Sequence, residues 1–453
     1  MGMKIVSRQI VKPAEPTWNG LLPLTELDHV SVITHSSNLH FYEKPTEQCW
    51  LNSSNNKILN TLKESLSRIL IPFYPLAGRL SWVGGGRQRL VLECNAMGAE
   101  IIDVESSMNI ADFGNFYSSG DKFKHLVPQI DYFGTQIQDI PLLVVQITRF
   151  ACGGLSIGIS LSHMVVDGGS AFHFIDEWAR LTRGEPLKVA PFLDRRLLQA
   201  QDVSVSQTSD VVVDDENYSS YFNKSEGVKL ETPTFILLTK DKIQRLKEVA
   251  NYNGGEIMNE NERPFSRFEV ITSHVWRCVC KARELKCDDI TSLFALVNTR
   301  GRLADPPLPS SYFGNAVVQV QISNSVGDLL SNPLSYACSK IREASQKVNN
   351  EYVFGFLDIL KNQESLSMYQ YTDDRGILKG PAYGDHNISA TSWLSLMATG
   401  VDFGWGKEIY NGPPLVSGLN GEVMIFPYKN DGSVVVGVFL QHKEKFHEYM
   451  GLF

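Results

Sequence analysis

No two cysteines in this chain are spaced as CxxC, and the seven present (Cys49, Cys94, Cys152, Cys278, Cys280, Cys287, Cys338) are an odd number. Neither a disulfide framework nor a zinc site is suggested, and reduced thiols fit better. No apolar run approaches 18 residues, and Met1–Val6 lacks an apolar signal core, so no membrane span or leader is expected and a cytoplasmic protein is. No basic cluster stands out, and the net charge of -8 disfavours nucleic acid as a partner while leaving small cations open. The glycines 84–86 are not followed by Gly-Lys-Ser/Thr and read as a hairpin, not a phosphate loop. Internal repeats and low-complexity tracts are absent as well. What remains is a chain of 453 residues, long enough for two large domains, with ordinary globular composition.

One stretch carries chemistry. Leu155 to Leu161 alternates apolar with small residues and reads as a buried strand. From Ser170 to Arg183, apolar residues at 171, 174, 175, 178 and 181 predict a helix that Gly184 stops. His163 therefore stands where a strand gives way to a turn and a helix. With an unperturbed pKa of about 6.5 it suits a general base, and a satisfied histidine at a strand end is the alternative. Gly154-Leu155-Ser156-Ile157-Gly158 fits G-x-S-x-G, but more strand follows Ser156 where a nucleophile elbow needs a sharp turn. His163 and Asp167 could share a metal at i, i+4 only in a helix, and Gly168-Gly169 break regular structure there, so no metal is expected.

Elsewhere, Asn56 to Leu70 has a helical stripe ended by Pro72, and strand-like runs recur at 142–150 and 155–161. Gln201 to Gly227 is polar with a local acidic run, a solvated loop. Beyond it come a strand at Phe235 to Thr239, a helical stripe at 243–250, a helix at Phe268 to Leu285 and a strand at Ser292 to Thr299. A helix at Leu334 to Val348 and strands at 388–397, 421–427 and 433–440 complete the pattern. Mixed sheets with packed helices give an α/β class. The expected division is 1–200, a crossover loop 201–228, and 229–453.

His163-x-x-x-Asp167-Gly168, with Asp402-Phe403-Gly404-Trp405-Gly406 far downstream, resembles the plant BAHD acyltransferases. Pro13–Trp18, Tyr74–Leu80 and Tyr312–Asn315 extend the resemblance nearly end to end. Glu177-Trp178, Arg183–Leu187, Val275–Cys278 and Asp402–Glu408 look most like its spermidine hydroxycinnamoyl transferase branch. The resemblance implies two domains of chloramphenicol-acetyltransferase type with the active-site channel between them. It implies hydroxycinnamoyl-CoA as a substrate, no cofactor, and His163 as the base in a direct transfer without an acyl-enzyme. Asp167 would be structural and paired with Arg300. Thr391 and Trp393 would lie near the acyl group, and Ser266, Arg267 and Arg300 near CoA. Asp402 would hold its turn, a direct chemical part being the alternative.

The acceptor expected from the branch is a polyamine, spermidine first, giving phenolamides. Asp385, Lys379 and His35 are the candidate acceptor-binding residues, with Glu408 and the Asp373-Asp374 pair as other anions. Lys379 departs from the acidic residue expected of that branch and cannot supply the bidentate fork that shikimate would want. Acylation of a shikimate or quinate hydroxyl is the alternative within the family, and a non-catalytic small-molecule binder the alternative outside it. A monomer is expected.

Overall fold

The computed structural model describes residues 2–45, 56–83, 89–117, 120–199, 230–253, 256–257, 263–363, 366, 384–396, 400–415, 418–428 and 431–451. The crossover 201–228, Lys379, Asp373 and Asp374 lie outside them. The strands that build the two large sheets are β1 (Met3–Val11), β2 (His35–Tyr42), β3 (Ala99–Ser106), β4 (Leu143–Phe150), β5 (Leu155–Ser162), β6 (Pro233–Leu238), β7 (Ile290–Asn298), β8 (Val317–Ser325), β9 (Ile388–Ser392), β10 (Tyr410–Gly412), β11 (Glu422–Tyr428) and β12 (Ser433–Phe439). The helices used below are α1 (Asn56–Ile69), α2 (Gly168–Thr182) and α3 (Arg267–Ala282).

Among the described residues the first sheet runs β1-β3-β4-β5-β2-β10 and the second β8-β7-β9-β11-β12-β6. Both mix parallel and antiparallel pairs, with β3 parallel to β4 and β9 parallel to both β7 and β11. β5 lies inside its sheet, antiparallel to β4 and β2, and every one of its residues is buried. That explains its sequence: Ile157, Ile159 and Leu161 fill the core, while small residues occupy the other face. At Gly158 a Cβ would come within 2.4 Å of the Leu126 carbonyl oxygen, so no side chain fits there.

α2 starts because the Asp167 carboxylate accepts from the Ser170 N–H at 2.9 Å, an N-cap in extended backbone. It ends at Arg183, followed by Gly184 at φ +81°. Its apolar face packs on the first core, where Trp178 Nε1 also donates to Ser65 Oγ of α1 at 3.0 Å. α3 begins on a capping box: Ser266 Oγ accepts from the Glu269 N–H at 3.2 Å, and the Glu269 carboxylate accepts from the Ser266 N–H at 2.5 Å.

Two expectations change. The strand at 388–397 stops at Ser392: Trp393 N–H makes a last bond to Ile425 O of β11 at 2.8 Å, and residues 394–396 then turn away. The second change concerns the division at 229. Tyr410–Gly412 pairs with Leu39–Phe41 in the first sheet, and Val401, Phe403, Trp405 and Phe313 sit in the first core. In return, Leu27 and Leu198 belong to the second core. Each half thus sends segments into the sheet or core of the other.

Candidate active site

A cavity of about 620 Å³ lies between the halves. Ser36, Ser37 and Asn38 of β2, the turn after β5 and the start of α2 line it from one side. Ser266, Arg267, the end of β7, Arg300 and residues 391–396 line it from the other. Its size suits a substrate buried at a junction of two halves.

His163 reaches this cavity from the turn after β5. Its N–H donates to Thr34 O at 2.8 Å, and its carbonyl accepts from Asn315 Nδ2 at 2.9 Å. The imidazole Nδ1 is buried without a hydrogen bond. Nε2 is then the nitrogen left to meet a substrate.

Asp167 is turned away from that ring. Its carboxylate accepts from Arg300 Nη1 at 2.7 Å and Nη2 at 3.0 Å, and from the N–H groups of Ser170 and Ala316, both at 2.9 Å. Burial alone would push its pKa up, but Arg300 and the two N–H groups outweigh it and hold the carboxyl below the usual range. Arg300 donates as well to the carbonyls of Tyr312 and Gly314, tying the turn of one half to the other. No hydrogen bond joins the Asp167 carboxylate to the His163 ring among these contacts.

Thr391, Trp393, Ser266 and Arg267 all line the cavity. Trp393 packs edge-on against Phe172 at 5.5 Å between ring centres. Ser266 Oγ already accepts from α3, which leaves its O–H to donate. Arg263 and Arg302 line the same end and were not singled out by the sequence, since isolated arginines carry no local signal.

Asp402 is off this cavity, on a neighbouring one. Its carboxylate accepts from the N–H groups of Gly404 at 2.7 Å and Gly406 at 3.1 Å, closing a turn whose glycines have φ of +112° and +121°. Its carbonyl accepts from Arg183. Phe403 stands edge-on to Trp178 at 5.0 Å and stacks on Trp405 at 5.7 Å. This geometry serves the turn.

Two acceptor candidates fall elsewhere. His35 points away from the cavity lined by its strand neighbours: its Nε2 donates to Pro141 O at 2.9 Å and Nδ1 accepts from the Tyr132 hydroxyl. Burial pushes its pKa down to about 4, so the ring is neutral. Asp385 is exposed, accepts from Asn420 Nδ2 at 2.9 Å and is not among the lining residues. Glu408 is engaged by His40 Nδ1 at 2.8 Å. The described carboxylates that do line the cavity are both in ion pairs, Asp167 with Arg300 and Glu269 with Arg342 and Arg263. Among the described residues no cluster of three or more His, Cys, Asp or Glu could hold a metal, and no helix is long and apolar enough to cross a membrane.

A family model described as the transferase family matches residues 1–450. A hydroxycinnamoyl-CoA:piscidic acid hydroxycinnamoyltransferase of Actaea racemosa is 40% identical over 454 residues, covering 98% of each chain. The chain belongs to the BAHD acyltransferase family. A shikimate O-hydroxycinnamoyltransferase of Nicotiana tabacum is 34% identical, and a 5-hydroxyanthranilate N-hydroxycinnamoyltransferase of Avena sativa 32%, each covering 99% of both chains. Among solved structures, vinorine synthase superposes with a TM-score of 0.73 at 22% identity, covering 100% of this chain and 98% of its own. F. sporotrichioides TRI101, complexed with coenzyme A and T-2, gives 0.76 at 18% identity, covering 96% and 97%. The fold is thus the two-domain BAHD arrangement, and as in the rest of the family an acyl-CoA is a substrate, with no separate cofactor.

Proposed function

We propose that the chain transfers a hydroxycinnamoyl group from its CoA thioester to a small carboxylate-bearing acceptor, with His163 as general base. The observation that carries the reading is His163 at the wall of a cavity whose opposite wall holds Thr391, Trp393 and a set of arginines. The acceptor's O or N bonds to the thioester carbonyl carbon while its proton passes to His163 Nε2. The tetrahedral intermediate then expels the CoA thiolate, which takes that proton back. Thr391, whose hydroxyl makes no hydrogen bond with another described residue, is suited to donate to the developing oxyanion. Arg263, Arg267 and Arg302 suit the phosphates of CoA or an acceptor carboxylate.

The carboxylate acceptor is favoured over the polyamine by charge. A polycation out of water needs unpaired anions, and the described lining offers none. Of its four arginines, Arg300 and Arg263 are engaged by the lining carboxylates Asp167 and Glu269, while Arg267 and Arg302 are in no ion pair with another described residue. The piscidic acid, shikimate and anthranilate in the relatives' names support the same choice. Spermidine acylation is the competing outcome. The test is incubation with coumaroyl-, caffeoyl- and feruloyl-CoA against a panel of hydroxy acids, aminobenzoates and polyamines, read by mass and by thiol release. Turnover on a carboxylate-bearing acceptor is expected; faster acylation of spermidine overturns the acceptor, and absence of thiol release with every pair overturns the activity. His163→Ala should lower turnover about 10²–10⁴-fold in a folded protein, and a near-normal rate would remove His163 from the mechanism.

A further inference from the structure

His163 lacks the side-chain partner that usually aims a catalytic histidine. In a Ser-His-Asp triad a carboxylate on Nδ1 fixes the ring; here Nδ1 is unbonded and Asp167 is engaged by Arg300. What holds this residue is backbone. The peptides on both sides of its Cα are clamped, the N–H by Thr34 O and the carbonyl by Asn315 Nδ2. Two residues on, the Val165 carbonyl accepts from Arg195 Nη2 at 2.8 Å.

Both donors lead to one buried carboxylate. Asp28 Oδ1 accepts from the N–H and Nδ2 of Asn315, each at 3.0 Å. Asp28 Oδ2 accepts from Arg195 Nη1, from Thr25 N–H at 2.8 Å and from Thr25 Oγ1 at 3.1 Å. Asp28 and Asn315 are fully buried, and Arg195 is 2% exposed. Three segments far apart in sequence therefore meet behind the reactive turn.

We propose that Asp28 is a positioning residue for acyl transfer, fixing through Asn315 and Arg195 the two carbonyls of the reactive turn and so the direction in which the His163 imidazole enters the cavity. The proposal rests on the reading of His163 as the base. An ionised carboxylate is acceptor-only, which is what five converging donors require. An asparagine in its place would turn an NH₂ toward Asn315 or Arg195, donor against donor, and loosen one clamp. A base displaced by a fraction of an ångström from the acceptor's proton loses rate without losing substrate affinity.

The test compares Asp28→Asn, Asn315→Ser and His163→Ala with wild type. Asn315→Ser keeps the Asp28–Arg195 pair and the backbone N–H of residue 315 on Asp28, but removes the Nδ2 that links Asp28 Oδ1 to the His163 carbonyl, so it decides the matter if Asp28→Asn does not fold. In protein with wild-type circular dichroism and CoA binding, kcat should fall about 10–100-fold and KM for the acyl-CoA should stay within about threefold. A kcat within twofold of wild type for folded Asn315→Ser, or a loss confined to KM, overturns the positioning role. If His163→Ala itself keeps full rate, the base reading has failed; if it is inactive while Asn315→Ser is normal, the positioning proposal alone has failed.

Discussion

His35 and Asp167 flank the same turn yet titrate in different ranges, and each makes a prediction of its own. His35 is neutral in the folded protein with a pKa pushed by burial to about 4, while in the unfolded chain it ionises near 6.5. Above that value both states are neutral and nothing is gained. As pH falls from about 6.5 toward 4, the unfolded chain takes up a proton that the folded one refuses, so stability declines. His274, also pushed by burial to about 4, adds to the same decline. His35→Gln, which keeps an amide for Pro141 and Tyr132, should therefore lose less stability than wild type between pH 7.5 and 5, read as urea midpoints. Equal losses would contradict the assignment. For the Asp167–Arg300 pair, 2% and 6% exposed, a double-mutant cycle should return a coupling of roughly 1–3 kcal/mol. Coupling near zero would mean that the bracing lies in the backbone bonds alone.

At the scale of elements, the turn of residues 402–406 is held by one carboxylate accepting two N–H groups. Asp402→Ala leaves both donors without that acceptor and should cost about 1–3 kcal/mol, while kcat of the folded variant stays within a few-fold. Unchanged melting with collapsed turnover would show that Asp402 acts in the chemistry. The elements around the site differ in how readable they were. The strand–turn–helix from Leu155 to Thr182 was legible because alternation and the 3.6-residue period are local signals. Phe235–Thr239, 243–250 and 433–440 were legible for the same reason. β8 was not identified: its Gln319, Gln321 and Ser323 alternate with Val318, Val320 and Ile322, and this half-polar strand contains no continuous apolar run. The Asp28–Arg195–Asn315 frame was not legible: Asn315 closes the Tyr312–Asn315 segment that extends the resemblance, but Asp28 and Arg195 read as ordinary polar residues, and only the fold joins positions more than a hundred residues apart.

The whole molecule is more interlocked than its linear order suggests, and that sets how it should unfold. β10 completes the edge of the first sheet against Leu39–Phe41, and Phe403 and Trp405 cover Tyr42 and Trp178 of the first core. Leu27 and Leu198 pass the other way into the second core, and the buried Asp28–Arg195 and Asp167–Arg300 pairs bind both halves to the loop 312–316. Independent domains need their own cores and few contacts across the boundary; each half has a core here, but the second condition fails. Residues 1–228 expressed alone would expose the β2 edge with Leu39 and Phe41, and would uncover the aromatic face of Trp178, inviting association through both. That fragment should be recovered insoluble or molten, while the full chain should give one heat-absorption peak, with tryptophan fluorescence and far-ultraviolet circular dichroism moving together. Two resolved transitions, or a soluble cooperative 1–228 fragment, would show that the halves are joined by docking and not by exchange of segments.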